Sequence, residues 1–599
     1  MKRTTKIASK SFLIALASLA STAFCDDWKQ ATAPLMTQWA KDVSPQNALP
    51  EYPRPQMARK LWQSLNGLWQ FQAAKEDDQP PAGKDLAQQI LVPYPPESAL
   101  SGVMHHDDRM WYRRTFEVPK DWSGDHVLLH LDAVDWDATV YLNGKKLGEH
   151  KGGYDAFGYD ITASLKKDGP QELIVGVVDP TDAGDQPHGK QKVKPGGIFY
   201  TPTSGIWQTV WIEPVKEAFI ETLQMTPDVD AGEVKLLVTP HGVVRRTPIA
   251  VTITPPGGGA PISAEGFTGR PLSIKIPDAK LWSPESPVLY DVQVQLKVNN
   301  AVTDDVVSYF GMRKIALGKD DKGVNRLMLN NKPYFMAGPL DQGFWPDGIY
   351  TAPTDAALKY DIEMEKKYGF NMVRKHVKIE PERWYYWCDK LGLLVWQDMP
   401  SGPSNQGAGE KMSQSSKENF EHELDRMIAS RGNHPSIVMW VVFNEGWGQF
   451  DTPRLTEHVK KTDPTRLVDN ASGWTDKKVG DVMDMHHYAD PSMPKLEETR
   501  AAVLGEFGGL GLAVENHMWA AKAFQYRKTN DPKQLTDQYV KMFEDIAKLK
   551  ENGLCAVVYT QTTDVEGEIN GLMTYDRAVN KVDPQRAAKA AQEVIGEAR

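Results

Sequence analysis

The chain has few cysteines and few long apolar segments. Only three of its 599 residues are cysteine: Cys25, Cys388 and Cys555. So few thiols cannot build a disulfide framework, and the fold must therefore depend on large hydrophobic cores. We expect Cys388 and Cys555 to be small buried side chains. Beyond the N-terminal segment, no apolar run reaches the ~20 residues of a membrane-spanning helix, so no membrane span is predicted.

A basic excess and a phosphate-binding loop are also missing. Lys and Arg number 69 against 79 Asp and Glu, which gives a formal net charge of −10 and argues against a nucleic-acid partner. The glycine-rich segment Gly505–Gly511 contains an acid near its start, and Gly338-Pro339-Leu340 is no phosphate turn. Neither an HExxH motif nor clustered cysteines offer a zinc site. No nucleotide, metal or other cofactor is predicted.

The N-terminus has the pattern of a secretory signal peptide. Four cationic residues precede the apolar run Ser11–Ala20, which ends in Ser21-Thr22-Ala23. A buried N-terminal helix is the alternative interpretation. Cys25 suggests a lipoprotein, but Phe24 stands where a small residue is expected before a lipidated cysteine. We predict a signal peptide over residues 1–25 and a periplasmic or secreted protein.

Two β-rich regions follow. Residues 28–215 contain short alternating strands separated by turns such as Asn143-Gly144, which is typical of a jelly roll. Residues 216–315 are again strand-like, with a break at Pro255–Gly259, and indicate an immunoglobulin-like β-sandwich. The chain also has 18 tryptophans, which suit either stacking on sugar rings or filling β-sheet cores.

Strands and helices alternate in residues 316–599. We predict four helices, near 355–368, 382–390, 417–430 and 453–461. Eight strands are predicted: Tyr334–Gly338, Asn371–Lys375, Leu393–Trp396, Ile437–Asn444, Leu467–Asn470, Val482–His486, Val503–Glu506 and Ala556–Gln561. Eight strands over this length favour a (β/α)8 TIM barrel, which typically takes ~250 residues. The competing doubly wound sheet would need a glycine-rich turn after its first strand.

In a barrel, the residues at the C-terminal ends of the strands converge on one site. The predicted strand ends and the residues just after them carry Asp341, Arg374, His376, Asp398, Asn444, Glu445, Trp447, Trp474, His486, His487, Tyr488, Glu506, Asp564 and Glu566. Either glutamate alone, Glu445 or Glu506, fits a structural ion pair equally well. Together at one barrel mouth they predict a catalytic pair.

Paired carboxylates suit cleavage of a glycosidic bond, because one must be protonated and the other ionised. Arg374 is expected to lower the pKa of one acid, and the surroundings of Trp440 and Trp447 to raise that of the other. Asn444 is placed to bind the hydroxyl beside the reacting carbon.

The adjacent pair His486-His487 offers imidazole nitrogens for a metal ion or for a sugar hydroxyl. Adjacent strand residues point to opposite faces, so only one of the two histidines can face the barrel interior. We favour contact with a sugar hydroxyl over a metal site there. A metal-dependent hydrolase that uses this pair remains a rival hypothesis.

At these residues the chain resembles glycoside hydrolase family 2, the β-galactosidases, β-glucuronidases and β-mannosidases. The motifs that carry the resemblance are Trp111–Arg114, Gly152–Phe157, Ser204–Trp207, Asn433–Ile437 with Phe443–Glu445, and Gly505–Gly508. The resemblance implies that Glu445 is the general acid/base and Glu506 the nucleophile of a retaining enzyme.

Departures from the family pattern concern the substrate. Arg374-Lys375-His376-Val377 displaces the usual histidine by one position, and Gly338–Gln342 replaces the usual segment after the first strand. Glu568 and Asn570 occupy the place of the Asn-x-Lys element that binds the sugar carboxylate in β-glucuronidases, so a uronic acid should bind poorly.

We therefore expect a retaining exo-glycosidase that acts on a neutral β-glycoside, in the manner of a β-galactosidase, in carbohydrate breakdown. The alternatives on the same scaffold are β-mannosidase, α-L-arabinofuranosidase and β-glucuronidase activity. A different class of function, a non-catalytic carbohydrate-binding protein, is disfavoured because both glutamates are present. The sequence does not predict an oligomeric state.

Overall fold

The computed structural model describes residues 28–244, 246–402 and 412–596. The predicted signal peptide at 1–25, including Cys25, lies outside the described residues. None of the α-helices in the described ranges combines the length and hydrophobicity needed to cross a bilayer.

The N-terminal region is a sandwich of two antiparallel sheets, as the jelly-roll prediction requires. The smaller sheet contains, in spatial order, Gln63–Ser64, Val210–Val215, His126–Leu131 and Phe157–Asp160. The larger sheet contains Gln88–Val92, Gly67–Ala73, Arg109–Phe116, Gln171–Val178, Asp137–Leu142 and Lys145–Lys151. Residues of Asp137–Leu142 alternate between half-buried and buried, so one face of the strand enters the core between the sheets.

The middle region is a second antiparallel sandwich. One sheet holds Phe219–Asp228, Glu233–His241 and Leu272–Lys275, and the other holds Ile262–Phe267, Pro248–Thr254, Tyr290–Val298 and Ala301–Phe310. A small sheet of Ile315–Lys319, Asn325–Leu329 and Lys332–Pro333 follows. Short two-stranded pairs, Val134–Asp135 with Gly205–Ile206 and Leu510–Gly511 with Arg527–Lys528, complete the sheets. The 3-10 helices are Ala40–Asp42, Pro55–Met57, Lys120–Trp122 and Thr162–Ser164.

All eight predicted barrel strands are present and pair in parallel. They are β1 Met336–Asp341, β2 Met372–Lys375, β3 Leu394–Asp398, β4 Ile437–Val441, β5 Leu467–Asp469, β6 Val482–His487, β7 Ala501–Gly508 and β8 Leu554–Thr560. Their spatial order is β5-β4-β3-β2-β1-β8-β7-β6, so neighbours in sequence are neighbours in space. The barrel is nearly closed, since the two end strands β5 and β6 lie side by side.

Six α-helices accompany the barrel: α1 Asp355–Lys367, α2 Glu382–Leu391, α3 Gln414–Arg431, α4 Thr452–Thr462, α5 Pro532–Glu551 and α6 Pro584–Ile595. The first four confirm the predicted helices. Residues 470–481 and 488–500, which the structure describes throughout, contain no α-helix. The barrel therefore lacks a helix after β5 and after β6, and irregular loops lie beside the site on that side.

Most of the tryptophan content serves the cores. At least eight of the 18 tryptophans are fully buried, among them Trp396 and Trp440 in the barrel. Trp474 is the exception, with 51% of its surface exposed. Cys388 and Cys555 are buried free thiols, as predicted.

The segment Asn433–Ile437 connects the barrel to the middle sandwich. The Asn433 side chain accepts a hydrogen bond from the Met225 N–H at 2.8 Å and donates to the Leu223 carbonyl at 2.7 Å. His434 and the middle-sandwich Tyr309 both bond the buried carboxylate of Asp389, at 2.6 and 2.8 Å. The first part of this motif thus docks two domains, and the residues that reach the barrel mouth lie at the far end of β4.

Candidate active site

Two carboxylates and one imidazole meet at the C-terminal end of the barrel. His486 Nδ1 lies 2.8 Å from Glu445 Oε1 and 3.6 Å from Glu506 Oε1. One oxygen of each carboxylate and a ring nitrogen of His486 all lie within 4.8 Å of one another. The fold therefore brings together the end of β6, the C-terminal part of β7 and the loop after β4, as the strand-end prediction requires.

Glu506 is buried and held from two sides. Arg374 Nη1 lies 3.3 Å from Glu506 Oε1, and the Tyr488 hydroxyl donates a hydrogen bond to Oε2. Tyr526 stacks on Tyr488 with ring centroids 3.8 Å apart and an interplanar angle of 3°, which fixes the position of the donor. One cation and one hydroxyl therefore hold this carboxylate in a fixed orientation.

Arg374 joins four strands of the barrel. It binds Asp398 through two parallel hydrogen bonds of 3.0 and 2.9 Å, and it donates to Asn444 Oδ1 at 2.8 Å. Burial alone would lower the pKa of the guanidinium, but the charges of Asp398 and Glu506 raise it. Arg374 is thus a permanent cation with a fixed fork geometry.

His376 lies next to the same acid. Its Nδ1 is 3.0 Å from Asp398 Oδ2, and burial, together with nearby cations, holds its pKa well below the usual range. The ring is therefore neutral, with Nδ1 as the hydrogen donor to Asp398. No residue in the described ranges takes up Nε2, which leaves that nitrogen available as an acceptor for a substrate hydroxyl.

Glu445 ends a chain of hydrogen bonds that runs inward. His486 Nε2 lies 2.8 Å from Ser472 Oγ, and Ser472 donates to Asp484 Oδ2 at 2.6 Å. Since the Ser472 proton is directed to Asp484, its oxygen must accept from His486 Nε2. Asp484 also accepts from the Gly505 N–H at 2.6 Å, one residue before Glu506.

The pKa of Glu445 differs from the sequence-based expectation. Burial would raise the pKa of Glu445, but the hydrogen bond and charge of His486, with Lys190 and Arg374 nearby, lower it. Burial would lower the pKa of His486, but the charge of Glu506 and the hydrogen bond to Glu445 raise it. The expectation that Trp440 and Trp447 raise the pKa of this acid is wrong. Trp440 lies in the core and donates to Asp463 instead.

Of the other predicted site residues, Trp447 and Trp474 lie at the barrel mouth, whereas His487 does not. Trp447 follows Glu445 in the loop after β4 and packs near Phe199, with centroids 5.6 Å apart. Trp474, in the loop after β5, packs edge-on against His486 with centroids 5.5 Å apart. His487 turns away from the interior, and its Nδ1 lies 2.7 Å from the Asp490 carbonyl. As expected for adjacent strand residues, only one of the two histidines faces the site.

Asp341 is not brought to the two glutamates. Its carboxylate pairs with Lys375 and accepts the Gly343 N–H at 2.8 Å. Lys375 also binds Glu380 at 2.9 Å, which makes a buried ion cluster. The prediction that Asp341 binds substrate is therefore not supported, because alternation along β2 points Lys375 away from Arg374 and directs it to Asp341.

Glu566 contacts the N-terminal sandwich. It accepts the Thr201 N–H at 2.8 Å, and burial raises its pKa to about 7. The neighbouring Glu568 accepts from Tyr200 and from Asn570 Nδ2, the latter at 2.9 Å. A loop of the sandwich thus closes one side of the barrel mouth.

Sequence reasoning missed the residues that this loop contributes, Lys190, Phe199 and Tyr200, together with Tyr526, Ser472 and Asp484. One signal was available. The connection from Val178 to Gly205 is far longer than the typical 2–6 residues, and long connections without regular structure are usually functional. Ser472 and Tyr526 lie in irregular loops, where periodicity carries no information.

The cluster of Glu445, His486 and Glu506 is also the group of described residues whose donor atoms lie close enough to hold a metal ion. Its one nitrogen, His486 Nδ1, carries a proton directed to Glu445 in the raised-pKa form, and a metal would have to displace that proton. The donor set therefore fits an ion pair better than a metal. That the protein needs no metal stays a prediction.

Comparison with known proteins places this geometry in a family. Three family models match the chain: "Glycosyl hydrolase 2 galactose-binding domain-like" at residues 84–206, "Glycosyl hydrolases family 2" at 218–313, and "Glycosyl hydrolases family 2, TIM barrel domain" at 324–550. Together they cover most of the chain, and the last contains both glutamates.

The individual curated relatives have low sequence identity to the chain. The chain is 29% identical to a β-galactosidase of Thermoanaerobacter pseudethanolicus over 376 residues, which is 59% of this chain and 47% of that protein. It is 26% identical to the β-glucuronidase of Rattus norvegicus over 474 residues, which is 70% of this chain and 69% of that protein. The chain spans about half or less of the length of the first curated relatives it matches.

Among solved structures, a β-glucuronidase from Ruminococcus gnavus in complex with D-glucuronic acid matches with a TM-score of 0.72 and 18% identity. The match covers 92% of this chain and 100% of that one, and at this identity it shows a shared fold. The three consecutive domain models, with the two glutamates at the mouth of the third domain, establish that the chain belongs to glycosyl hydrolase family 2.

Proposed function

We propose that the protein is a glycoside hydrolase that cleaves β-glycosidic bonds with retention of configuration, with Glu506 as nucleophile and Glu445 as general acid/base. The observation that carries the proposal is the spacing of these two carboxylates, with an oxygen of each within 4.8 Å. Retaining enzymes hold the two groups about 5–5.5 Å apart, against roughly 6.5–9.5 Å in inverting ones. This short separation favours the retaining course, in which a carboxylate itself attacks the anomeric carbon.

In the first step, Glu506 attacks the anomeric carbon while Glu445 takes the proton held by His486 and passes it to the departing oxygen. This step gives a covalent glycosyl ester on Glu506 and leaves Glu445 ionised and His486 neutral. Arg374 and Tyr488 hold the Glu506 oxygens in place before the attack. In the second step, Glu445 takes a proton from water, the water oxygen attacks the same carbon, and Glu506 leaves as a carboxylate. Two inversions give net retention.

The pair of Glu445 and His486 supplies the proton that the leaving group receives. In the resting site the pKa of Glu445 is lowered and that of His486 is raised, so the shared proton resides on the imidazole. Ester formation removes the charge of Glu506, which is the strongest factor raising the pKa of His486. When Glu506 loses its charge on forming the ester, His486 therefore releases its proton more readily. Hydrolysis of the ester restores the charge of Glu506 and the proton of His486.

Several groups are placed to hold the sugar. The Arg374 bond fixes Asn444 Oδ1, so the Asn444 amide nitrogen is directed away from the guanidinium and is available to a hydroxyl beside the reacting carbon. His376 Nε2 accepts from a second hydroxyl. Trp447 and Trp474 offer aromatic surface beside Glu445 for the leaving group. A carbohydrate-binding protein without catalytic activity would not need the proton-sharing pair of Glu445 and His486.

We propose that the reacting sugar is neutral, in the manner of a β-galactoside, and that the enzyme acts on chain ends. The support is that Glu568, bonded to Tyr200 and Asn570, occupies the place of the lysine element of β-glucuronidases. Relatives named β-galactosidase and β-glucuronidase both match the chain, so a β-glucuronidase is the second candidate. We also propose export, since residues 2–23 have the pattern of a signal peptide.

A panel of 4-nitrophenyl glycosides tests the choice of sugar. We expect at least one neutral glycoside, among β-galactoside, β-mannoside and α-L-arabinofuranoside, to show kcat/KM at least tenfold above the β-glucuronide, because the chain has Glu568 and Asn570 in place of the element whose lysine would pair with a uronate. Glucuronide turnover faster than that of every neutral glycoside would contradict the proposed substrate class.

Replacement of the nucleophile tests the reaction course. Glu506→Gln should lower kcat by about 10⁴-fold or more, with little change in thermal stability, because the amide is nearly isosteric but cannot attack. In the wild type, proton NMR should show that the first sugar released keeps the anomeric configuration of the substrate. A fluoro-sugar inhibitor should label Glu506. An inverted product, or a label on another residue, would remove Glu506 from this role.

Replacement of the acid/base separates the two steps. Glu445→Ala should slow substrates with poor leaving groups by about 10²–10⁴-fold, whereas activated aryl groups leave without a proton. Azide, which needs no general base, should restore turnover of activated substrates by forming a glycosyl azide of retained configuration. Wild-type rates on unactivated substrates would show that Glu445 is not the acid.

The proton-sharing pair predicts a titration. Glu445→Gln removes a carboxylate that raises the pKa of His486, so that pKa should fall relative to the wild type. The imidazole should then lose its proton at lower pH. Histidine NMR between pH 4 and 9 measures this shift, with His487→Asn to assign the neighbouring signal. An unchanged His486 titration in Glu445→Gln would mean that the two groups do not share a proton.

A further inference from the structure

A long loop of the N-terminal sandwich reaches the barrel mouth and is fixed there at several points. The His188 and Gly189 N–H groups both bond the Ser401 carbonyl, at 2.9 and 3.1 Å. Gly189 has φ +58°, and a Cβ there would lie 2.4 Å from the Val377 carbonyl, so the backbone is pressed against the loop after β2. With Thr201 bonded to Glu566, the loop is held against the ends of three barrel strands.

Lys190 follows directly and points into the mouth. Only 6% of its surface is exposed. Its Nζ lies 4.7 Å from the ring centroid of Trp447 and 5.7 Å from that of Phe199. Within the described ranges, Lys190 Nζ has neither a hydrogen-bond acceptor nor an ion-pair partner. The nearby Lys192, by contrast, pairs with Asp182 at 3.2 Å.

No protein group within the described ranges accepts from the Lys190 ammonium. Its three N–H donors are left to the water of the mouth, and because only 6% of the residue is exposed, most of the hydration of the ammonium is lost. Cation–π contact with two rings offsets only part of that loss, since such contacts contribute about 0.5–2 kcal/mol. An anionic ligand in the mouth would accept hydrogen bonds from the Lys190 ammonium and would offset its charge.

The position of Lys190 indicates which part of a substrate it meets. Trp447, on whose ring Lys190 lies, is two residues beyond Glu445 in the same loop. The charge of Lys190 contributes to the lowered pKa of Glu445 and also acts on His376 and Glu568, so Lys190 lies where the leaving-group side of the mouth meets the side of the reacting sugar. A general acid must contact the oxygen of the scissile bond, so groups beside it, on the loop that carries it, line the path of the leaving group.

Resting on the proposed function, we propose that Lys190 binds an acidic group, a carboxylate or a sulfate, on the leaving-group side of the substrate, with Trp447 as the platform beneath it. The preferred natural substrate would then be a neutral sugar linked to an acidic sugar residue. Lys190 is thus a specificity-determining residue, and it comes from outside the catalytic domain.

The test compares two leaving groups of similar size and different charge. 4-Carboxyphenyl and 4-carbamoylphenyl glycosides of the sugar that the wild type prefers would be assayed with wild type, Lys190→Met and Lys190→Arg. Lys192→Met serves as a control with an equal loss of charge on the same loop. Thermal unfolding checks that each variant is folded.

We expect Lys190→Met to lower kcat/KM for the carboxyphenyl glycoside about 10- to 100-fold more than for the carbamoylphenyl glycoside, as a charge-assisted hydrogen bond requires. Lys190→Arg should keep most of the preference, and Lys192→Met all of it. Added salt should weaken the preference of the wild type and leave Lys190→Met unaffected.

Other outcomes would overturn the proposal. An equal loss with both leaving groups would mean that Lys190 only adjusts the protonation of Glu445. A loss confined to aryl uronides would place the anion on the reacting sugar. Absence of any loss would mean that Lys190 does not touch substrate.

Binding separates this proposal from the proposed function. Calorimetry of the two glycosides with Glu506→Gln, and with Glu506→Gln combined with Lys190→Met, needs no turnover. The first protein should bind the carboxyphenyl glycoside more tightly, and the second should show no preference. Equal affinity of the first protein for both would overturn the role of Lys190 even if hydrolysis is confirmed.

Discussion

The site depends on one buried charge, the guanidinium of Arg374. An uncompensated cation in a barrel interior costs several kcal/mol, so each of its nitrogens must find a partner. Asp398 from β3, Asn444 after β4 and Glu506 from β7 supply those partners, at distances of 2.8–3.3 Å. Because the fork is planar, those three side chains cannot move independently. The geometry of the nucleophile is therefore set by the same interactions that compensate the buried charge of Arg374.

The barrel part of this arrangement was predictable from sequence because its signals are local. Each strand is an apolar run, and the polar residue that ends it is visible without knowledge of the fold. Glu445, Glu506 and Arg374 were found in this way, and all three meet in the structure. Asp341 shows the limit of the method. It also ends a strand, but its carboxylate pairs with Lys375, and which of two cations an acid meets depends on side-chain direction rather than on position in the chain.

The remaining parts were not predictable because they depend on contacts between residues far apart in sequence. His486 was assigned to sugar hydroxyls, whereas both of its nitrogens are engaged, by Glu445 and by Ser472. Ser472 lies in an irregular loop with no pattern that would reveal it. The expected direction of the Glu445 pKa was wrong for the same reason. Neighbouring tryptophans in the sequence suggested an apolar environment, but the nearest group in space is a cation-forming imidazole 41 residues away.

The N-terminal sandwich is part of the active site as well as a neighbour of the barrel. Tyr200 and Thr201 donate hydrogen bonds to Glu568 and Glu566, two carboxyl groups that the barrel buries. Without the sandwich loop these acids would lose donors, and a buried acceptor without a partner costs about 1–3 kcal/mol. The loop therefore stabilises the barrel mouth at the same points where it places Lys190. Docking of the two domains also completes the pocket, since the contacts that hold the loop fix Lys190, whose charge contributes to the lowered pKa of Glu445.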